Sequence, residues 1–307
     1  MNTKTISSKT LIKNFTVLFF IGLSVNANAY ELSDEVATCT LAINKGDYVK
    51  AAKTSAEILK LEPNNRDGLI CKGRALGAQG KYEEALSALE LAEVNTQPGF
   101  DEIISYIFIG NLHKANHKYA EAITAYEKSL KVSELETNDK FKRINLNLIA
   151  ETHAQNNDLN AALASYLEGS KLANNDNERA DSYERLAVTY TALGQYDSAI
   201  EYQLKGVLMQ QKAGTLDQYA NANLSLGHIY ILAKDYANAE KTYTKLAKFS
   251  KDNGGAYYEA KSDLGLAQTK IASGDAAAAK PWVDQAKLIA QETKDKALEQ
   301  EIELAIK

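Results

Sequence analysis

Apolar residues recur along the chain at helical spacing, in runs of about 13 to 17 residues broken by short polar turns. The clearest break is Gly194-Gln195-Tyr196-Asp197-Ser198-Ala199. Tyr190 and Leu193 end one apolar stripe. Gly194 then supplies the left-handed conformation with which a helix often closes. Tyr196, Ala199, Ile200 and Leu204 open the next stripe. Two helices joined by so tight a turn run antiparallel. Ala199 is small enough for their backbones to approach, and Tyr196 fills the space beside the turn.

The phrase repeats. Its large anchor falls at Tyr48, Tyr82, Tyr119, Leu159, Tyr196, Tyr236 and Ala276, spaced 34 to 40 residues apart. Alanine follows three residues later, at Ala51, Ala85, Ala122, Ala162, Ala199, Ala239 and Ala279. Nine residues before each anchor stands a small residue: Cys39, Gly73, Gly110, Ala150, Ala187, Gly227 and Ala267. Such a period implies stacked like units, each burying its apolar face against its neighbours. The helix pairs predicted are 33–45 with 49–61, 67–79 with 83–95, 103–116 with 119–133, 140–156 with 159–173, 179–193 with 197–213, 217–233 with 237–251, and 256–273 with 277–292. A polar helix over 295–306 caps the open end.

On these residues the chain resembles the tetratricopeptide repeat family over about residues 33–293. The resemblance implies an all-α right-handed solenoid of seven helix pairs plus the C-terminal cap, with units at 32–65, 66–102, 103–142, 143–179, 180–219, 220–259 and 260–293 and the cap at 295–307. Leu61-Glu62-Pro63-Asn64 carries the family's closing proline. The later, longer units are similar to those of kinesin light chains. Pro281 falls in the first turn of the last second helix, where proline does little harm.

The N-terminus follows another logic. Lys4, Lys9 and Lys13 precede the apolar run 15–25, and Ala27-Asn28-Ala29 is a small-x-small cleavage site. This is the pattern of a secretory signal peptide over 1–29, cut after Ala29. A periplasmic or secreted protein with no membrane insertion after cleavage is expected. Cleavage removes three lysines and no acid, taking the net charge from −5 to −8. An acidic surface without basic clusters argues against nucleic acid and anionic membranes as partners. An exported chain permits a disulfide between Cys39 and Cys71, on the first helices of neighbouring units; two buried thiols are the other reading.

Candidate chemistry is sparse. His113 and His117 stand four apart, the spacing of two ligands on one helix face, but no further ligand clusters with them. Gly77-Ala78-Gln79-Gly80-Lys81 lacks the spacing of a phosphate loop. The reading is therefore of no enzyme, no metal and no cofactor. In the family the first helices line a concave groove that holds extended peptides or partner helices. The positions this resemblance assigns to the wall are Ile70, Arg74, Ile107, Asn111, Asn147, Glu151, Glu184, Val188, Leu224, His228, Leu264 and Gln268. Asn111 and Asn147 suit a peptide backbone, because an amide both donates and accepts. The expected function is an exported scaffold that binds a protein or peptide in this groove. The alternative is an assembly factor for an envelope machine acting through its convex face or ends.

Overall fold

The computed structural model describes residues 32–305. The expected signal segment and its cleavage site lie outside them. The described chain is helical, with no strand among the described residues. Helix α1 covers residues 32–44. It is followed by α2 (Tyr48–Leu61), α3 (Arg66–Ala78), α4 (Tyr82–Val94), α5 (Phe100–Ala115), α6 (Tyr119–Leu135), α7 (Asp139–Gln155) and α8 (Leu159–Ser170). Then come α9 (Asp176–Ala192), α10 (Tyr196–Ala213), α11 (Leu216–Leu232), α12 (Tyr236–Asp252), α13 (Ala256–Ala272), α14 (Lys280–Thr293) and α15 (Lys296–Ala305). Each odd-numbered helix through α13 pairs with the helix that follows it. The chain divides into two compact units, one ending at Glu136 and the other beginning at Thr137.

The same construction closes every pair. The residue two before each anchor has positive φ: Gly46, Gly80, His117, Asn157, Gly194, Lys234 and Gly274, with values from 58° to 90°. After Tyr190, Gly194 N–H donates to Thr191 C=O at 3.0 Å and Gln195 N–H to Tyr190 C=O at 2.9 Å. These bonds satisfy carbonyls that a helix end would otherwise leave open. Lys234 and Asp235 make the equivalent bonds to Ile231 and Tyr230. Asp47, Asp158, Asp235 and Asp275, each just before an anchor, accept from the backbone N–H three residues on. They hold the first turn of the second helix as N-caps.

The small and alanine positions form the core. Ala51, Ala85, Ala122, Ala162, Ala199 and Ala239 are fully buried, and Ala279 nearly so. A Cβ on Gly110 would lie 2.4 Å from the Tyr126 ring, and one on Gly227 the same distance from Tyr243. Each tyrosine therefore occupies the volume its glycine leaves empty. The unit that ends at Glu136 holds two cores. One is built from Cys39, Ala42, Ile58 and Ala75, the other from Leu69, Leu89, Leu112 and Ala125. Cys39 and Cys71 are disulfide-bonded across the first, with Cα atoms 6.3 Å apart. In the unit from Thr137, the largest buried cluster joins Leu264, Val283, Ile289, Leu298 and Ile302, so α15 covers the last pair.

One element differs from expectation. The last second helix is split: residues Ala276–Ala279 wind as a 3-10 turn and α14 begins at Lys280. Pro281 has no N–H to give Ala277, and its ring crowds that carbonyl, so the preceding turn tightens.

Candidate partner-binding wall

Within a helix pair, the small residue and its large aliphatic neighbour face the partner helix. Residues one turn away on the first helix therefore point elsewhere. In the unit that ends at Glu136 these helices are α3 and α5; in the unit from Thr137 they are α7, α9, α11 and α13.

The wall assignment fails at Ile70 and Leu264, which are 7% and 3% exposed. Ile70 packs with Leu69, Ala85 and Leu89, and Leu264 with Ala260, Ala267 and Val283. Leu224 is part-buried against Leu246 and Tyr258 on one side and Tyr243 and Leu266 on the other. These three aliphatics serve the core, because a repeat must also bury its first helix against the next pair. Ile107, Asn147 and Gln268 are half-buried. The Asn147 amide oxygen lies 3.0 Å from where a Cβ on Gly169 would be, so it packs against α8. Glu184, Val188 and His228 are exposed, Val188 at 62%.

In the first unit the structure brings Arg74 and Asn111 together. Both line a cleft of about 320 Å³ between α3 and α5, with Tyr48, Phe108 and Leu112. The Arg74 guanidinium sits over the Phe108 ring, 5.0 Å from its centre. Burial pulls its pKa down from the usual arginine value. The Tyr126 hydroxyl donates to Asn111 Oδ1 at 2.7 Å. Phe108 and Tyr48 were not singled out by sequence: Phe108 lies off the repeat slots, and Tyr48 reads as a turn filler.

In the second unit, Glu151 does not stand free. It pairs with Arg185 at 2.5 Å, and Arg185 also holds Asp181 at 3.0 Å. Asp181 in turn lies 3.4 Å from Arg143. The carboxylates of Asp181 and Glu151 outweigh burial and raise the Arg185 pKa. Arg185 also lies over the Tyr166 ring at 5.8 Å. The Asp181 and Arg185 positions, four apart on α9, were the readable part of this network. A cleft of about 400 Å³ runs beside it, lined by Tyr166, Glu184, Arg185 and Val188. An amide-rich cleft of about 270 Å³ adjoins it at Asp181 and Glu184, lined also by Gln210, Gln218 and Asn221.

The histidines do not assemble. His117 lies beyond the end of α5 in the left-handed turn, and its ring bonds Tyr119 at 2.9 Å. His113 Nδ1 bonds the Tyr82 hydroxyl at 2.8 Å, and burial lowers its pKa. It opens onto a third cleft between α4 and α6, with Glu90, Glu93 and Glu121. His153 stands 3.8 Å from Asp158. Among the described residues no three metal-ligating side chains converge, and no helix is long and apolar enough to cross a membrane.

The chain was then compared with known proteins. Tetratricopeptide repeat models match residues 178–252 and 103–134. No curated protein matches. Among solved structures, apo RapI superposes with a TM-score of 0.65 at 14% identity, over 88% of this chain and 79% of its own. PilF of Pseudomonas aeruginosa gives 0.54 at 12%, over 73% of this chain and 93% of its own. BtubC of P. vanneervenii gives 0.51 at 15%, over 86% and 92%. At such identities the structural likeness speaks for the fold alone. Together with the matching repeat models and the seven repeated turns, it identifies the chain as a member of the tetratricopeptide repeat family.

Proposed function

We propose that this protein is an exported, non-catalytic scaffold that binds a peptide or a partner's helix along its first-helix wall. The exposed, uncommitted face of α9 and α11 carries this reading. Val188, Glu184 and His228 are open to solvent there, while the slots around them are filled and buried. An exposed valine beside a cleft lined by Tyr166 offers an apolar anchor, and the adjoining amides of Gln218 and Asn221 suit backbone groups. A periplasmic or secreted location is supported by the leader pattern and by a buried disulfide, which persists in oxidising compartments.

Site-specific photo-crosslinking tests the reading. A photoreactive residue would replace Val188 or His228 on the wall, or Leu208 on the second helix α10, in the full chain expressed in its own host. A discrete protein adduct from Val188 and His228, absent from Leu208, is the expected result. The second reading, an envelope assembly factor working through the other face, has its own observation. Leu204 and Leu208, one turn apart on α10, are 40% and 54% exposed. An adduct from Leu208 alone would favour it.

A further inference from the structure

The cleft between α3 and α5 is built from donors on an apolar floor. Arg74 is half-buried and makes no hydrogen bond or ion pair among the described residues. Its one charge-responsive neighbour is the Tyr48 phenol. No aspartate or glutamate lines the cleft. This is unusual on a chain with 40 acids against 35 bases, whose other half-buried arginines, Arg66, Arg143 and Arg185, each hold carboxylates. A guanidinium taken partly out of water without a counter-charge is costly, and stacking on Phe108 offsets only part of that cost. Asn111 adds to the pattern. Its oxygen is occupied by the Tyr126 hydroxyl, so its NH₂ is the end left for a ligand. Tyr126 is fully buried and holds that orientation. Leu89 and Leu112 complete the cleft, whose 320 Å³ accommodates about one residue.

We propose that this cleft binds a carboxylate borne on an apolar residue of the partner. Arg74 grips the carboxylate through its planar fork, the Asn111 amide donates to it, and the apolar side chain lies beside Phe108 and Leu112. A guanidinium fork matches a carboxylate in two parallel bonds. A phosphate dianion would call for more positive charge than one arginine supplies. The inference rests on the partner-binding reading and assigns chemistry to one part of the wall.

Three labelled peptides test it by fluorescence anisotropy on the full chain after leader removal: acetyl-Ala-Ala-Ala-Leu as the free acid, the same peptide as its amide, and acetyl-Ala-Glu-Leu-Ala amide. Tighter binding of the free acid than of its amide, by roughly tenfold for a lost charge-assisted pair, identifies a chain terminus. Preference for the glutamate peptide identifies an acidic side chain. Either supports the site, provided that Arg74→Gln removes the preference with its helical signal and melting temperature unchanged. Asn111→Asp keeps the acceptor for Tyr126 but supplies Arg74 with a carboxylate from within, and it should abolish binding as well. Equal binding of all three peptides, no binding by the parent at millimolar peptide, or unchanged binding by Arg74→Gln overturns the site. Adducts from Val188 and His228 that survive such a failure leave the scaffold reading intact. Absence of those adducts in the parent removes that reading instead.

Discussion

Asp263 lies on α13 with 4% of its surface exposed, and its Oδ2 has no hydrogen-bond partner among the described residues. Burial, with Glu259 one turn back, raises its pKa from 3.8 to about 7, while Lys251 pulls the other way. In the unfolded chain the carboxyl ionises near its ordinary value; in the fold it keeps its proton to about pH 7. The folded state therefore binds more protons across that window, and stability falls as pH rises from about 4 to 7, then levels. Asp263→Asn should be more stable than the parent at pH 8, by about 1–2 kcal/mol, and no more stable at pH 4. Urea unfolding of both proteins at the two values checks this, and a constant difference would mean that Asp263 is ionised and compensated. No sequence signal marked this residue, because an acid on a first helix reads as solvated surface until its neighbours are known. The small slots were legible for the opposite reason. Gly110 and Gly227 stand where the period demands a small side chain, and Tyr126 and Tyr243 recur at fixed distance from them. Ile70, Leu224 and Leu264 were misread because one turn from a packed slot is a statement about a single pair. Their burial comes from the neighbouring pair.

At the scale of the helix pair, the turn is the repeated device, and its quality varies. Gly194 and Gly274 adopt positive φ without cost, whereas Lys234, His117 and Asn157 hold φ of 62°, 58° and 60° with a Cβ in place. A left-handed backbone costs a residue with a Cβ about 1 kcal/mol or more, partly offset by the entropy glycine loses on folding. Lys234→Gly should thus stabilise by about 0.5 kcal/mol. The caps vary too: Lys81, Lys118 and Gln195 make no side-chain cap, where Asp47, Asp158 and Asp235 do. Lys118→Asp should add about 1 kcal/mol by closing the first turn of α6. Thermal unfolding of the two variants measures both. A loss of stability on Lys234→Gly would show that the lysine side chain does something at the turn beyond tolerating it. The turns were readable because glycine and its substitutes keep one place in the period. The split at Pro281 was only half readable. The sequence showed a proline that a first turn tolerates, but not that the preceding alanines would tighten into a 3-10 turn instead of extending the helix.

At the scale of the molecule, two compact units each carry their own buried clusters, and the disulfide belongs wholly to the one that ends at Glu136. The sequence made the repeat count legible but not this division, since the anchors run through it in phase. Nor did it decide between a bond and two thiols, because the period brings Cys39 and Cys71 to neighbouring first helices without fixing the distance between them. The bond closes a separation of 32 residues. Constraint of the unfolded chain by such a loop is worth about 3–4 kcal/mol in the chain-entropy account. In a repeat protein each pair draws its stability from itself and its neighbours, so the loss should stay local. Hydrogen exchange of the Cys39→Ala/Cys71→Ala double variant, followed by mass spectrometry, reads this out. Peptides of α1 to α3 should exchange faster than in the parent, by a factor on the order of a hundred or more if that free energy is lost from local opening. Peptides of α9 to α14 should be unchanged. Acceleration spread evenly along the chain would mean that the two units unfold as one cooperative body. The stability of any partner site on α9 and α11 would then depend on an oxidised N-terminal end.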